Sequence, residues 1–384
     1  MLLEDSVALV HGKRIALLTN QTGVDEHGTS DIDLLATSPL ARAAGVQLVA
    51  LCSPEHGIRG TQDRASIASG TDSATGLPIY SLYSAATVLP PPDSLLARID
   101  VLVIDLQDVG TRTWTYVGSM IYALQAASRA KLTVVVLDRP NPLTGTRAEG
   151  VILDPRLANL ARPYALYPMP LRHGLTMGEL ARFYNDTLGI GADLHVVPAS
   201  GWERWEWFDQ TGLPWVRPSP NLPSLMSVLL YPALVPFEGS NLSVGRGTPD
   251  AFQQLAAPWL DAAGTAAMLN SRAMPGVRFE PDTIVPVAPT DGKYAGQRLP
   301  ALRVVVTDRE QVDVGRVGAA LLWAVARTGR DSLRLNTAVF DLRFGDAALR
   351  AALVAGNDPD RVIDQTGPAV VEFERRTRRF RLYP

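Results

Sequence analysis

The segment "IDVLVIDLQD" (residues 99–108) centres on the apolar run VLVI and ends in the polar residues Asp105, Gln107 and Asp108. An apolar run without alternation is typical of a strand that is buried on both faces of a parallel sheet. Comparable strand-like segments lie before and after it, at residues 14–20, 46–52, 77–83, 133–142 and 194–199. The segment is therefore interpreted as one strand of a larger, buried sheet.

Segments with apolar residues at helical spacing alternate with these strands. Residues 31–45 and 113–130 are two of them. A third helix, at residues 176–189, begins with Thr176 and Glu179, whose spacing is that of a capping box. Strands that alternate with helices indicate βαβ units. We therefore predict an α/β fold with a Rossmann-like, doubly wound and mostly parallel sheet.

A proline-rich passage at residues 211–227 interrupts this alternation, because proline cannot continue a helix or pair within a sheet. We place a domain transition near residue 232. The prediction is a Rossmann-like catalytic domain at residues 1–232 and a smaller α+β domain at residues 233–384. The predicted strands and helices of the smaller domain cover residues 277–287, 302–309, 314–329 and 346–356.

Charge and cysteine content exclude several kinds of protein. A net charge of −3 and a pI near 6.0 provide no basic surface for nucleic acid, and the arginine-rich segment at 374–381 is interpreted as a solvated helix face. Cys52, the single cysteine, cannot form an intramolecular disulfide or a cysteine-based metal site. The absence of a signal-peptide pattern and of a long apolar run predicts a cytoplasmic protein without membrane insertion. An upstream start would reopen an extracytoplasmic location.

Polar residues gather where the predicted strands end. Because the carboxyl ends of parallel strands meet at one edge of a sheet, a crevice there would collect these side chains. The residues concerned are Asn20, Glu55, His56, Asp105, Asp108, Arg112, Arg139 and Asn141. The first strand is not followed by the glycine-rich turn that binds NAD, and neither a phosphate-binding P-loop nor a nucleophilic-serine elbow occurs. We therefore predict a site without a cofactor or metal.

Seven motifs in order resemble the DUF1343 family, whose characterised activity is that of an exo-β-N-acetylmuramidase of the NamZ type. The motifs are "LLTNQTGVD", "SPEHGIRG", "DLQDVGTRTWTY", "VLDRPNPLTG", "LRHGLTMGELARFYN", "TGLPWVRPSPNLP" and "FEGSNLSVGRGT". The resemblance implies a Rossmann-like domain, a smaller C-terminal domain and an active site in the cleft between them. It also implies release of N-acetylmuramic acid (MurNAc) from the non-reducing end of peptidoglycan fragments such as MurNAc-GlcNAc, in cell-wall turnover and recycling.

Cleavage of a β-glycosidic bond needs a proton for the leaving oxygen and a second group that stabilises or captures the oxocarbenium-like centre. The resemblance makes Glu55 the candidate general acid, with His56 beside it, and Glu238 the best candidate for the second group. Asp105 and Asp108 are local alternatives. The 2-acetamido oxygen of the substrate can also act as the nucleophile. The structural alternative for Glu55 is a salt bridge to the nearby arginine of "SPEHGIRG".

MurNAc carries a lactyl ether with a carboxylate, so selectivity for it implies a cationic pocket, and arginine meets a carboxylate with two parallel hydrogen bonds. The arginine candidates are Arg112, Arg139, Arg172 and Arg246, of which Arg246 is slightly favoured. Tyr116 and Trp114 are candidates for stacking on sugar rings. The remaining substrate-binding candidates in the motifs are Asn20, Arg59, Asp108, Asn141, His173, Asn221 and Asn241.

Two other functions remain open from the sequence. The first is a non-catalytic binder of peptidoglycan-derived sugars. It rests on Val244 and Gln253, which stand where some relatives carry acidic residues. The second is a phosphosugar or nucleotide enzyme on the same kind of sheet, since a fold does not determine a function. The missing phosphate loop and the modest supply of lysine argue against this second function.

Overall fold

The computed structural model describes residues 1–384 and contains a seven-stranded sheet, a three-stranded sheet and a short hairpin. The strands of the first part of the chain are β1 (Arg14–Thr19), β2 (Gln47–Ser53), β3 (Gly70–Thr71), β4 (Pro78–Ser81), β5 (Tyr83–Ser84), β6 (Thr87–Val88), β7 (Val101–Asp105), β8 (Thr133–Leu137) and β9 (Asp193–Val197). Strands β5 and β6 form the hairpin.

The large sheet has the strand order β3-β4-β2-β1-β7-β8-β9, and every neighbouring pair is parallel except β3 with β4. Without the edge strand β3, this is the 3-2-1-4-5-6 order of Rossmann-type sheets, in which the strand order reverses between β1 and β7. The prediction of a Rossmann-like, mostly parallel sheet is confirmed.

The two faces of the sheet bury alternate side chains in different cores. In β1, Ala16 and Leu18 belong to the large core, whereas Ile15 and Leu17 belong to a smaller core on the other face. All four side chains are fully buried. Burial on both faces explains why these strands read as continuous apolar runs.

Five helices accompany the strands in this part of the chain: α1 (Asp31–Thr37), α2 (Pro39–Ala43), α3 (Asp93–Leu96), α4 (Thr115–Ala130) and α5 (Met177–Thr187). The predicted capping box of Thr176 and Glu179 is present at the start of α5. The single helix predicted at residues 31–45 is wrong, because Ser38 is extended (ψ 151°) and separates α1 from α2. A residue that precedes proline is biased against helical geometry.

The second part of the chain is mostly helical. Its elements are α6 (Leu225–Leu234), β10 (Gln254–Ala256), α7 (Ala262–Asn270), β11 (Val277–Ile284), β12 (Leu299–Val306), α8 (Val314–Gly329), α9 (Thr337–Phe344), α10 (Ala347–Val354), α11 (Pro359–Asp364) and α12 (Gly367–Thr377). The antiparallel order is β10-β12-β11. Residue 232, the predicted transition, lies inside α6, and the two domain limits stay a prediction.

The two parts of the chain are packed together. One core of 75 buried residues includes side chains of both parts. The end of the chain also returns to the first part: the Tyr383 hydroxyl donates to Asp138 at 2.6 Å, and the Leu382 amide donates to Glu179 at 2.8 Å. The second part is therefore held against the first, and its side chains reach the carboxyl edge of the large sheet.

Two further predictions concern the surface. The arginine-rich segment at 374–381 includes the end of α12, where Arg375 is 71% exposed, and continues to Arg379, which is 67% exposed, so its interpretation as a solvated face is confirmed. No helix of the protein has the length and apolar character needed to cross a membrane.

Candidate active site

An open cavity with about 180 Å³ of space for solvent lies where the second part of the chain meets the carboxyl edge of the large sheet. We call it the active-site cavity. Its chemically functional lining residues from the first part are Glu55, His56, Asp63, Tyr83, Thr113, Trp114, Thr115 and Tyr164. Those from the following segments are Ser219, Asn221, Tyr231, Glu238, Arg246 and Arg343.

Glu55 reaches the cavity from the turn that follows β2. Its carboxylate accepts a hydrogen bond of 2.5 Å from the hydroxyl of Thr115, the first residue of α4. Burial and then the adjacent Glu55 carboxylate raise the pKa of Tyr83, so this phenol stays protonated beside it. Arg59 pairs with Asp72 at 2.7 Å, so the alternative of a salt bridge between Glu55 and Arg59 is wrong.

His56 is held rigidly beside Glu55. Its backbone adopts the left-handed conformation (φ 70°), which is uncommon for a residue with a side chain. Its Nδ1 lies 2.7 Å from the carbonyl oxygen of Gln62, which makes Nδ1 the donor. The ring is 5% exposed, and its centroid lies 6.4 Å from that of Trp114. The turn at His56 thereby anchors the loop that carries Asp63.

A network of charges forms another part of the cavity wall. Arg246 lies between two carboxylates: it donates to Asp63 at 2.9 Å and to Glu238 at 2.5 and 2.9 Å. The Nε of Arg343 donates to the other oxygen of Glu238 at 3.2 Å. Asn221 donates to Asp63 at 2.7 Å. These bonds join a loop of the first part to three segments of the second.

The network keeps its carboxylates ionised. Burial alone would raise the pKa of Glu238, but Arg246 and Arg343 outweigh it, and the pKa is lowered. Burial opposes ionisation of Asp63 too, yet hydrogen bonds from Thr290 and the charge of Arg246 lower its pKa. Of the three carboxyl groups that line the cavity, Glu55 is therefore the one that is not paired with an arginine.

Two family models together match almost the whole chain. The N-terminal model of the exo-β-N-acetylmuramidase NamZ matches residues 15–226, and the C-terminal model matches residues 229–383. The chain belongs to the NamZ family.

Individual relatives agree with this assignment. The chain is 37% identical over 384 residues to the peptidoglycan β-N-acetylmuramidase NamZ of Bacillus subtilis. The alignment covers 100% of this chain and 90% of that relative. A crystal structure of a DUF1343 family protein from Bacteroides fragilis superposes with a TM-score of 0.89 at 33% identity, covering 100% of this chain and 97% of the other. A second such structure gives 0.76 at 27% identity, covering 99% and 98%. The resemblance to the DUF1343 and NamZ family is confirmed.

Several residues in the NamZ-like motifs lie outside the cavity, in a group that we call the switch-point cluster. It consists of Asn20, Asp105, Tyr116 and Arg139, where the strand order reverses between β1 and β7. Asn20 donates to the Tyr116 hydroxyl at 2.8 Å, and that hydroxyl donates to a backbone carbonyl at 3.0 Å. Arg139 forms a two-pronged ion pair with Asp105. Asp105, a predicted alternative for the second catalytic group, is thus engaged away from Glu55.

Other predicted substrate-binding residues also have internal partners. Arg172 pairs with Glu149 at 2.5 Å and is 1% exposed. His173 lies 3.3 Å from Asp108, and both are buried. The side chains of Arg112, Asn141 and Asn241 donate hydrogen bonds to backbone carbonyls. None of these residues lines the cavity.

The cavity therefore contains six of the predicted site residues, namely Glu55, His56, Trp114, Asn221, Glu238 and Arg246. It also contains residues that the sequence analysis did not single out, chiefly Asp63, Tyr83, Thr115, Tyr164 and Arg343. Tyr83 is the last residue of a predicted strand segment, and this position at a strand end could have indicated that it lies near the site. Arg343 lies on α9, a helix that was not predicted, and its sequence neighbourhood carries no comparable signal.

Proposed function

We propose that this protein is an exo-acting N-acetylmuramidase, which releases MurNAc from the non-reducing end of peptidoglycan fragments such as MurNAc-GlcNAc. Membership of the NamZ family supports this activity. The observation that carries the mechanism is the contrast among the three cavity carboxyls: Asp63 and Glu238 are bound to Arg246, whereas Glu55 is not.

This contrast assigns different roles in glycoside hydrolysis to Glu55 and to the two arginine-paired carboxylates. The general acid must be able to hold a proton and donate it to the leaving oxygen, and an arginine partner would oppose that. Glu55 therefore serves as the acid. Water then completes hydrolysis at the anomeric carbon, either directly or after attack by the 2-acetamido oxygen. Both routes need ionised carboxylates near the sugar, which Asp63 and Glu238 supply.

Val244 and Gln253, the two residues that favoured a non-catalytic binder, do not contribute to the cavity. Val244 is fully buried in the core, and Gln253 is buried with its amide bonded to Ser227 at 3.2 Å. Neither residue lines the cavity. The absence of acidic side chains at these two positions therefore removes no charged group from the proposed site.

Purified protein incubated with MurNAc-GlcNAc is expected to yield MurNAc and GlcNAc in equal amounts, measured by liquid chromatography with mass detection. GlcNAc-GlcNAc, which lacks only the lactyl ether, is the matched control and should remain intact. A longer glycan that begins with MurNAc should lose this one sugar without internal cleavage. Binding of the disaccharide without turnover would instead support the non-catalytic alternative, and equal turnover of both disaccharides would contradict a MurNAc-selective site.

A further inference from the structure

The active-site cavity has one arginine whose two terminal nitrogens have no hydrogen-bond partner in the protein. All three guanidinium nitrogens of Arg246 donate to the carboxylates of Asp63 and Glu238. His56 donates its Nδ1 proton to a backbone carbonyl. Arg343, in contrast, uses only its Nε, which donates to Glu238, and neither of its terminal nitrogens has a protein partner. A fork of donors is thus available to a ligand in the cavity.

The position of this fork is fixed on two sides. The guanidinium carbon of Arg343 lies 4.8 Å from the ring centroid of Tyr164, which is a cation–π distance. The contact between its Nε and Glu238 holds the opposite edge of the group. The Arg343 side chain is 19% exposed, so little of it moves freely in solvent. A donor pair that is already oriented loses less entropy when it binds a ligand.

Arg112 holds the backbone beneath these residues. It is 3% exposed, and its guanidinium donates to the carbonyls of Tyr164 at 3.0 Å, Leu342 at 3.1 Å and Arg343 at 2.8 Å. The last two carbonyls belong to the end of α9, where helical carbonyls lack partners within the helix. Burial lowers the pKa of Arg112 to about 9. Arg112 is therefore a positioning residue for the Arg343 fork.

Cationic side chains outnumber the carboxylates in the network around Glu238 and Asp63. Glu238 and Asp63 are the ionised carboxylates, and Arg246 and Arg343 balance them. The ammonium group of Lys293 binds the backbone carbonyl of Glu238 at 3.1 Å and adds a further positive charge behind the wall. Three cationic side chains thus bond directly to the two residues that carry these carboxylates, and Glu55 is not part of this network.

We infer that the terminal nitrogens of Arg343 bind the lactyl carboxylate of MurNAc. This inference rests on the proposed function and names the residue that selects its substrate. A carboxylate meets a guanidinium fork with two parallel, charge-assisted hydrogen bonds. GlcNAc lacks the lactyl ether and would leave these donors without a partner, which is how a polar site rejects an analogue.

The test compares Arg343→Gln with wild type on two nitrophenyl β-MurNAc glycosides, one with a free lactyl carboxylate and one with its methyl ester. Loss of a charged hydrogen-bonded pair should lower kcat/KM on the free acid by about 10- to 100-fold, mainly through KM. On the ester the change should stay within about threefold. Arg334→Gln is the matched control, because Arg334 is exposed and its side chain has no hydrogen-bond partner.

A second measurement does not depend on turnover. Calorimetric titration with free MurNAc should show weaker binding to Arg343→Gln by a similar factor, and Arg343→Lys should recover part of it. If wild type binds MurNAc in this manner but hydrolyses neither glycoside, the proposed catalysis fails while the role of Arg343 stands. Unchanged affinity for MurNAc, or equal losses on the acid and the ester, would overturn the inference. Arg343→Lys also serves if the glutamine variant does not fold.

Discussion

The switch-point cluster and the active-site cavity lie at the same edge of one sheet, and both are built from polar residues that follow buried strands. At the switch point, Asn20 is bonded to Tyr116 and Asp105 to Arg139, and the pocket beside them leaves about 20 Å³ of space for solvent. The active-site cavity leaves about 180 Å³. Ligands of Rossmann-type sheets commonly bind at the switch point. In this protein that place is occupied by the chain's own side chains.

The difference between the regions lies in the partners of their polar groups. Polar side chains that are bonded to one another contribute to the stability of the fold, whereas a cavity-lining side chain with free donors or acceptors is available to a ligand. Glu55 and Arg343 are of the second kind, and Asp105 and Arg139 are of the first. Substitutions in the cavity should therefore change activity with little effect on stability, and substitutions at the switch point should do the reverse.

The largest expected effect is that of Glu55→Gln. Without the proton donor, kcat on MurNAc-GlcNAc should fall by about a hundredfold or more, whereas a nitrophenyl aglycone, which hardly needs protonation, should be far less affected. Glu26→Gln, a change at a glutamate whose side chain is 70% exposed, is the control. Steady-state kinetics on both substrates decides the matter. An equal fall of kcat on the two substrates would assign Glu55 to another step and would weaken the functional distinction between the two regions.

Asp105→Asn tests the other region. It leaves Arg139 without its main partner. We expect the free energy of unfolding, measured in urea, to fall by about 3 kcal/mol. This is at the low end for the loss of one partner of a buried ion pair, because Asp31 still lies near Arg139. Activity per folded molecule should remain within about twofold, since neither residue faces the cavity. A large fall in kcat with unchanged stability would show that the switch-point cluster takes part in catalysis.

A smaller effect is expected from Asp138, at the end of β8 beside the switch point. Burial raises the pKa of Asp138 to about 6 from its ordinary value of 3.8, despite hydrogen bonds from Thr176 and Tyr383. The folded state therefore keeps this proton longer than the unfolded state does. Stability from this group is fully present below about pH 4 and is lost as the pH rises through 6, a loss of about 2 to 3 kcal/mol.

Asp138→Asn imitates the protonated form and should remove this part of the pH dependence. The free energy of unfolding, measured at pH 4 and pH 7, should fall less between the two values in the variant than in wild type. Activity at pH 7 should be unchanged, because Asp138 does not line the cavity. The same fall in both proteins would mean that Asp138 is already ionised in the folded state at low pH.

Much of the fold was predictable because its signals are local. Buried parallel strands need apolar side chains on both faces, so β1, β2, β7 and β8 each read as an apolar run. The capping box of α5 lies within four residues. Helices α7, α9 and α11 are among those that were not predicted, because burial of a single face in tertiary contact stabilises short helices that lack a strong local signal.

The sequence by itself determined the Rossmann-like sheet, the family and the placement of Glu55 after a buried strand. Each of these depends on residues that are close along the chain. Only the tertiary structure decided which polar residues have partners. Arg246 and Asp63 are separated by 183 positions, and Arg343 and Glu238 by 105. Since a side chain's charge and free donors depend on neighbours brought together by folding, the chain's order alone could not separate a binding arginine from a structural one.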